Sequence, residues 1–148
     1  MRAVQCPTEA DPRDFERSVF LAGGISSCPD WHARMLELLS DTDWLVLNPR
    51  REDFDSSDAG MAQAQIEWEH RHLRLADAIA FWFPPQTLCP ITLYELGAWS
   101  MTDKPLLIGV DPQYKRRVDV ITQTQLTRPD VRVADSLEGL AEQLRGAR

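Results

Sequence analysis

Apolar residues in this chain come in short runs separated by longer amphipathic stretches. Ser18–Ala22 (SVFLA), Trp44–Leu47 (WLVL), Ala78–Phe83 (AIAFWF) and Lys104–Val110 (KPLLIGV) are nearly continuous in apolar character. That pattern belongs to strands of a parallel sheet covered on both faces. Val131–Val133 adds a brief edge strand. Helical spacing predicts a helix over Trp31–Ser40, with Asp30 as N-cap and Trp31, Met35, Leu38 and Leu39 on one side. A second helix runs from about Met61 to Ala76, with Ile66, Leu73 and Ala76 turned inward. Pro84 and Pro85 end the third strand, and Pro90 suits the first turn of a helix running to about Met101. Ile121–Leu126 reads as a short helix, and Ser136 caps a last amphipathic helix through Leu144.

Strand and helix alternate five times without an internal repeat. This predicts an α/β flavodoxin-like three-layer sandwich: a five-stranded parallel sheet of order 2-1-3-4-5, with right-handed crossovers and helices on both faces. Residues 18–148 form that domain. Met1–Arg17 carries prolines and scattered charges without periodicity and reads as a loosely ordered arm packing on the domain or on a partner subunit. The sheet's switch point lies between the strands that begin near Ser18 and Asp77, so the Gly23 loop and the Pro84–Pro90 loop should flank one cleft.

Several polar groups belong to that carboxyl edge. Gly23 and Gly24, followed by Ser26, offer bare backbone N–H groups to a phosphate, hydroxyl or carboxylate, although a Gly-Gly pair also serves simply as a tight turn. Arg50 and Arg51 follow the second strand and either grip an anion or stay solvated. Glu52–Gly60 is polar and acidic, a mobile loop or lid, and Asp111–Val120 is a charged loop. Thr92 and Glu95 share a helical face. The segment EWEHRH, with Glu67, Glu69, His70 and His72, lacks metal-ligand spacing and reads as a solvated charged face.

Composition narrows the function. The formal net charge of −7 argues against a nucleic-acid polymer as partner and leaves a small molecule. Three cysteines without a C-x-x-C pair suggest neither disulfide framework nor zinc site, and fit a reducing compartment. No apolar run reaches membrane-span length, so a cytoplasmic protein is expected, with no membrane partner. The five tryptophans read chiefly as packing residues.

A carboxylate in the cleft can act as nucleophile, general base or hydroxyl acceptor. Cleaving an N-glycosidic bond calls for one carboxylate beneath the anomeric carbon and an acid near the departing base. Glu95 and Asp77 are the candidates, beside the plainer reading of Glu95 as a surface residue. The stretches VFLAGGI, LADAIAFWFP, PITLYELG and KPLLIGVDPQYKRRVDV together resemble the nucleoside 2-deoxyribosyltransferase-like family over Ser18 to about Leu140. The resemblance implies the same fold and a homodimer or higher homo-oligomer whose sites are completed by a neighbouring subunit. Glu95 then matches the nucleophile that forms a glycosyl-enzyme intermediate, and Asp77 an aspartate that handles a proton or holds the sugar. The implied ligand is a small-molecule nucleoside or nucleotide, with no cofactor and no metal.

One departure stands out. Cys89 occupies the place where the family's transferases carry a loop aspartate, six residues before the nucleophile, which leaves Thr87 and Thr92 to hold hydroxyls. The wider superfamily includes hydrolases of nucleoside 5′-monophosphates that seat the phosphate on the glycine loop, a role open to Gly23, Gly24, Ser26 and an arginine. Lys115–Arg117 either contributes across a subunit boundary or is solvated. A non-catalytic nucleotide-binding module, and a packing domain with exposed aromatics near Trp82 and Trp99, are the rival readings.

Overall fold

The computed structural model describes residues 1–55 and 57–147. The first strand, β1 (Arg2–Gln5), comes from the expected arm, followed by a 3-10 turn at Pro12–Asp14. The remaining elements, in chain order, are β2 (Ser18–Gly23), α1 (Trp31–Leu38), β3 (Leu45–Asn48), α2 (Ala59–Leu75), β4 (Ala78–Phe83), α3 (Pro90–Ser100), β5 (Leu106–Val110), α4 (Arg117–Thr127), β6 (Val133–Ala134) and α5 (Leu137–Gly146). The sheet is wholly parallel, in the order β1-β3-β2-β4-β5-β6. The expected five-strand order is therefore preserved inside a six-stranded sheet.

The extra strand corrects the reading of residues 1–17 as a loose arm. Arg2–Gln5 runs in register with Leu45–Asn48, and the Cys6 amide donates to the Asn48 carbonyl at 3.0 Å. Within β1 only Val4 is buried. One inward side chain in four residues leaves no period to read, and the strand is carried by backbone hydrogen bonds to its neighbour. A second correction concerns Asp111–Val120: its end is the first turn of α4, where Arg116 and Asp119 pair at 3.0 Å. Its many charges mask the two inward positions, Val120 and Thr124.

Alternating side chains divide the interior into two layers. Phe20, Leu47, Ile79, Phe81, Phe83 and Ile108 face α2, α3 and α4, meeting Trp68, Leu73, Leu96 and Val120. Val19, Leu21, Val46, Ala80 and Trp82 face α1 and α5, meeting Trp31, Met35, Leu140 and Leu144. Truncating a side chain such as Phe81, which is fully buried, to alanine would cost about 3–5 kcal/mol. Four of the five tryptophans are core residues, Trp82 among them at 5% exposure, so the reading of Trp82 as part of an exposed aromatic interface is corrected. No helix among the described residues is long and apolar enough to cross a membrane.

The strand register fixes where chemistry can occur. Gly23 pairs with Trp82 and Phe83 with Val110, so these residues end their strands together at the carboxyl edge. Ser18 and Asp77 precede the Val19–Ala78 pair at the opposite edge. Six residues of β4 separate the two edges by roughly 20 Å.

Candidate active site

At the carboxyl edge a pocket of about 320 Å³ opens between the loops that leave β2, β3 and β4. Gly23, Gly24, Ile25 and Ser26 form one wall, and Pro49, Arg51 and Phe54 a second. Thr87 and Cys89 complete the rim, Ile91, Thr92 and Glu95 enter from α3, and Gln65 and Glu69 from α2. The volume lies at the lower end of the range typical of small-molecule sites.

The glycines are required by close approach. A Cβ on Gly24 would stand 2.7 Å from Thr87 Cγ2 and 2.9 Å from Cys89 Sγ, and one on Gly23 only 2.6 Å from the Trp82 carbonyl oxygen. The Gly24 carbonyl is pinned from behind: the Trp31 indole N–H donates to it at 2.8 Å and the Cys28 thiol at 3.1 Å. On the far rim, Cys89 takes the left-handed conformation, with φ at 49°, unusual for a residue with a side chain. The Tyr114 hydroxyl donates to the Leu88 carbonyl at 2.8 Å, which holds this turn against the core. Burial pushes the Cys89 thiol up to about 11, so it is a neutral group that cannot replace the charge of a carboxylate.

Of the residues singled out from the sequence, Gly23, Gly24, Ser26, Thr87, Thr92 and Glu95 all line the pocket. Two do not. Arg50 turns behind the glycine loop toward Asp30, with Nε 3.4 Å from its carboxylate, and the arginine in the pocket wall is Arg51, whose side chain is 8% exposed and pairs with Asp53 at 3.0 Å. Successive residues leaving a strand point to opposite sides, and the loop sends Arg51 to the pocket. Asp77 lies at the amino edge. Its carboxylate accepts from the Ser18 amide and hydroxyl, both at 2.7 Å, while its own amide donates to that hydroxyl at 3.0 Å.

The carboxylate that does meet Glu95 is Glu69, from the stretch read as a solvated charged face. Helix α2 buries Gln65, Trp68, His72 and Leu73, with Glu69 half-buried between them. Ile66, expected inside, is 64% exposed. Positions 65, 68, 69, 72, 73 and 76 form one unbroken stripe at helical spacing. That stripe was available in the sequence, but weighting by apolarity favours Ile66 over Gln65 and Glu69. His72 belongs to the packing: its ring stacks on Trp68 at 4.0 Å and Nδ1 lies 2.8 Å from the Trp68 carbonyl.

Burial pushes the Glu95 carboxyl up to about 8, and the neighbouring charge of Glu69 adds to the effect. Burial also raises Glu69, against the lowering effect of a hydrogen bond from Gln65. Neither carboxylate forms an ion pair among the described residues. Burial and mutual repulsion both favour the protonated forms, so two carboxyl groups of raised proton affinity stand in one cleft.

A parallel α/β sheet with a two-carboxylate pocket at the topological switch point places this protein among the doubly wound α/β folds, with its pocket where such sheets bind ligands. The family model described as nucleoside 2-deoxyribosyltransferase like matches residues 16–114, about two thirds of the chain, and the protein belongs to that family. No curated protein matches the chain.

Proposed function

We propose that the protein cleaves or transfers the N-glycosidic bond of a nucleoside or nucleotide, with Glu95 as nucleophile and Glu69 as the acid that serves the departing base. The observation that carries this reading is the meeting of Glu69 and Glu95 in one pocket, each with its proton affinity raised by burial. Sugar hydroxyls donating to Glu95 favour its ionised form, so of the two acids Glu69 is the one that keeps a proton. Glu95 then attacks the anomeric carbon as the bond to the base breaks, and the base leaves with the proton of Glu69. A second base, or water, displaces Glu95 from the sugar and returns the proton to Glu69. Glu69 takes the role that the family resemblance implies for Asp77, whose carboxylate is engaged at the other edge of the sheet.

Hydrolysis of a 5′-monophosphate is the second reading, and Arg51 favours it. Arg51, paired with Asp53, lines the same pocket as Gly24 and Ser26, and a guanidinium together with backbone N–H groups suits an anion. Nucleosides and their 5′-monophosphates, each incubated with and without a second free base, distinguish these outcomes by chromatography. Base released without an acceptor identifies a hydrolase, and a new nucleoside formed only with an acceptor identifies a transferase. Tight binding of an intact nucleotide without product identifies a non-catalytic binding module and refutes the proposal, as does undiminished turnover by Glu95→Gln.

A further inference from the structure

The carboxylate of Glu69 is braced by Gln65, which is held in turn by a residue outside the part of the chain that the family model matches. Gln65 is 7% exposed, and its amide nitrogen donates both to Glu69 Oε1 at 2.7 Å and to the Pro49 carbonyl at 2.7 Å. Its amide oxygen faces the other way and accepts from the Cys6 thiol at 3.1 Å. The orientation is dictated by the neighbours. The Pro49 carbonyl is only an acceptor, so the NH₂ group must point toward Pro49 and Glu69, which leaves the oxygen for the thiol.

Cys6 is itself fixed by the N-terminal segment. Its amide bonds to Asn48 beyond the β1–β3 pairing. The Trp68 indole donates to the Thr8 carbonyl at 2.9 Å, and Arg71 pairs with Glu9 at 2.7 Å. Residues 1–9 are thus fastened to β3 and to α2, although the family match begins at residue 16.

We infer that Gln65 is a positioning residue that orients Glu69 and favours its ionised form, and that the N-terminal strand takes part in the site by locking the Gln65 amide through Cys6. The role of Glu69 as proton carrier rests on the function proposed above, but the positioning itself does not. Burial pushes the Cys6 thiol up to about 11, so it remains a neutral donor over the working range. Glu95 faces Glu69 from α3, Arg51 lines the same pocket from the loop after β3, and Cys6, with Glu9 near it, stands by from the N-terminal segment. A substitution at Gln65 takes the acceptor from the neutral Cys6 thiol but adds or removes no charge among these groups, so a change in the titration of Glu69 there reports on the lost hydrogen bond.

The test is a carbon-13 NMR titration of the Glu69 carboxyl in the free protein, assigned with Glu69→Gln and run on wild type, Gln65→Leu, Cys6→Ala and Cys6→Ser. Removing a donor to a carboxylate raises its proton affinity. Gln65→Leu should therefore move the Glu69 midpoint upward, by about threefold or more in the proton-binding constant. Cys6→Ala should move it in the same direction by less, and Cys6→Ser, which restores a donor, should return it toward wild type. An unmoved midpoint in Gln65→Leu overturns the positioning role. An unmoved midpoint in Cys6→Ala, or a serine variant displaced as far as alanine, overturns the part assigned to the N-terminal strand. Should Gln65→Leu not fold, Gln65→Met, which removes the donor and keeps the length of the side chain, is read by the same criterion. These midpoints are read without substrate, so they are independent of whether wild type releases a base.

Discussion

The two ends of β4 each hold a carboxylate within reach of a neighbouring element, and the two are chemically opposite. At the amino edge Asp77 is exposed to water and accepts two hydrogen bonds from Ser18, whose residue is fully buried. Both bonds fall on its Oδ2. At the carboxyl edge Glu95 and Glu69 are drawn out of water beside each other, without an ion-pair partner among the described residues. Asp77 ties two strands together, whereas the glutamates hold proton affinity out of its ordinary range, which is the condition for acid–base work near neutral pH. Residue type and distance from the sheet matter less than which end of the strand the group stands on.

Charge removal at each position breaks this contrast or sharpens it. The largest effect is expected from Glu95→Gln: loss of the attacking carboxylate should lower kcat for base release by about a thousandfold or more while the ligand still binds, as measured by single-turnover kinetics and calorimetry. Glu69→Gln should lower kcat by about 10²–10⁴-fold. The loss should be smallest for substrates whose base departs without protonation, and equal losses for all bases would remove Glu69 from the role of acid. Asp77→Ala should do the reverse. It strips the Ser18 amide of its acceptor and should cost about 1–3 kcal/mol of stability in urea unfolding, with kcat/KM within about twofold of wild type, and Asp77→Asn should recover most of the loss. A large fall in kcat/KM at unchanged stability would bring Asp77 back into the chemistry.

The sequence made the carboxyl edge legible and drew Asp77 toward it for the same reason. Strands such as AIAFWF declare themselves by continuous apolarity, and paired glycines and prolines mark where strands must stop, so the five expected strands keep their order and six of the eight singled-out residues come out at the expected edge. Asp77 was drawn in by adjacency to β4, but adjacency does not say which end of a strand a residue occupies relative to the ligand. Glu69 was hidden because the face that lines the pocket is polar where a packing face is apolar. The stripe through Gln65, Glu69 and His72 interrupts the hydrophobic signal that places a helix. Strand β1 was hidden because an edge strand with one buried side chain is held by hydrogen bonds that leave no mark on side-chain pattern.

The smallest effect is also the most direct reading of the strain at the carboxyl edge. Glu95 titrates at about 8 in the folded protein against 4.5 for the unperturbed group, so between those values the folded state binds more protons than the unfolded one. Stability contributed by the protonated form is then fully present below about pH 4.5 and is lost as pH rises through about 8. Glu95→Gln carries no such charge and escapes the loss. Wild type and variant should therefore be of similar stability near pH 4.5, and above pH 8 the variant should be the more stable by about 1–2 kcal/mol, well under the full linkage value because the pocket is open to water. Urea unfolding of both proteins at pH 4.5 and pH 8.5 measures the difference. A gap of the same size at both values would mean that Glu95 is not desolvated, and the contrast between the two ends of β4 would then be one of position alone.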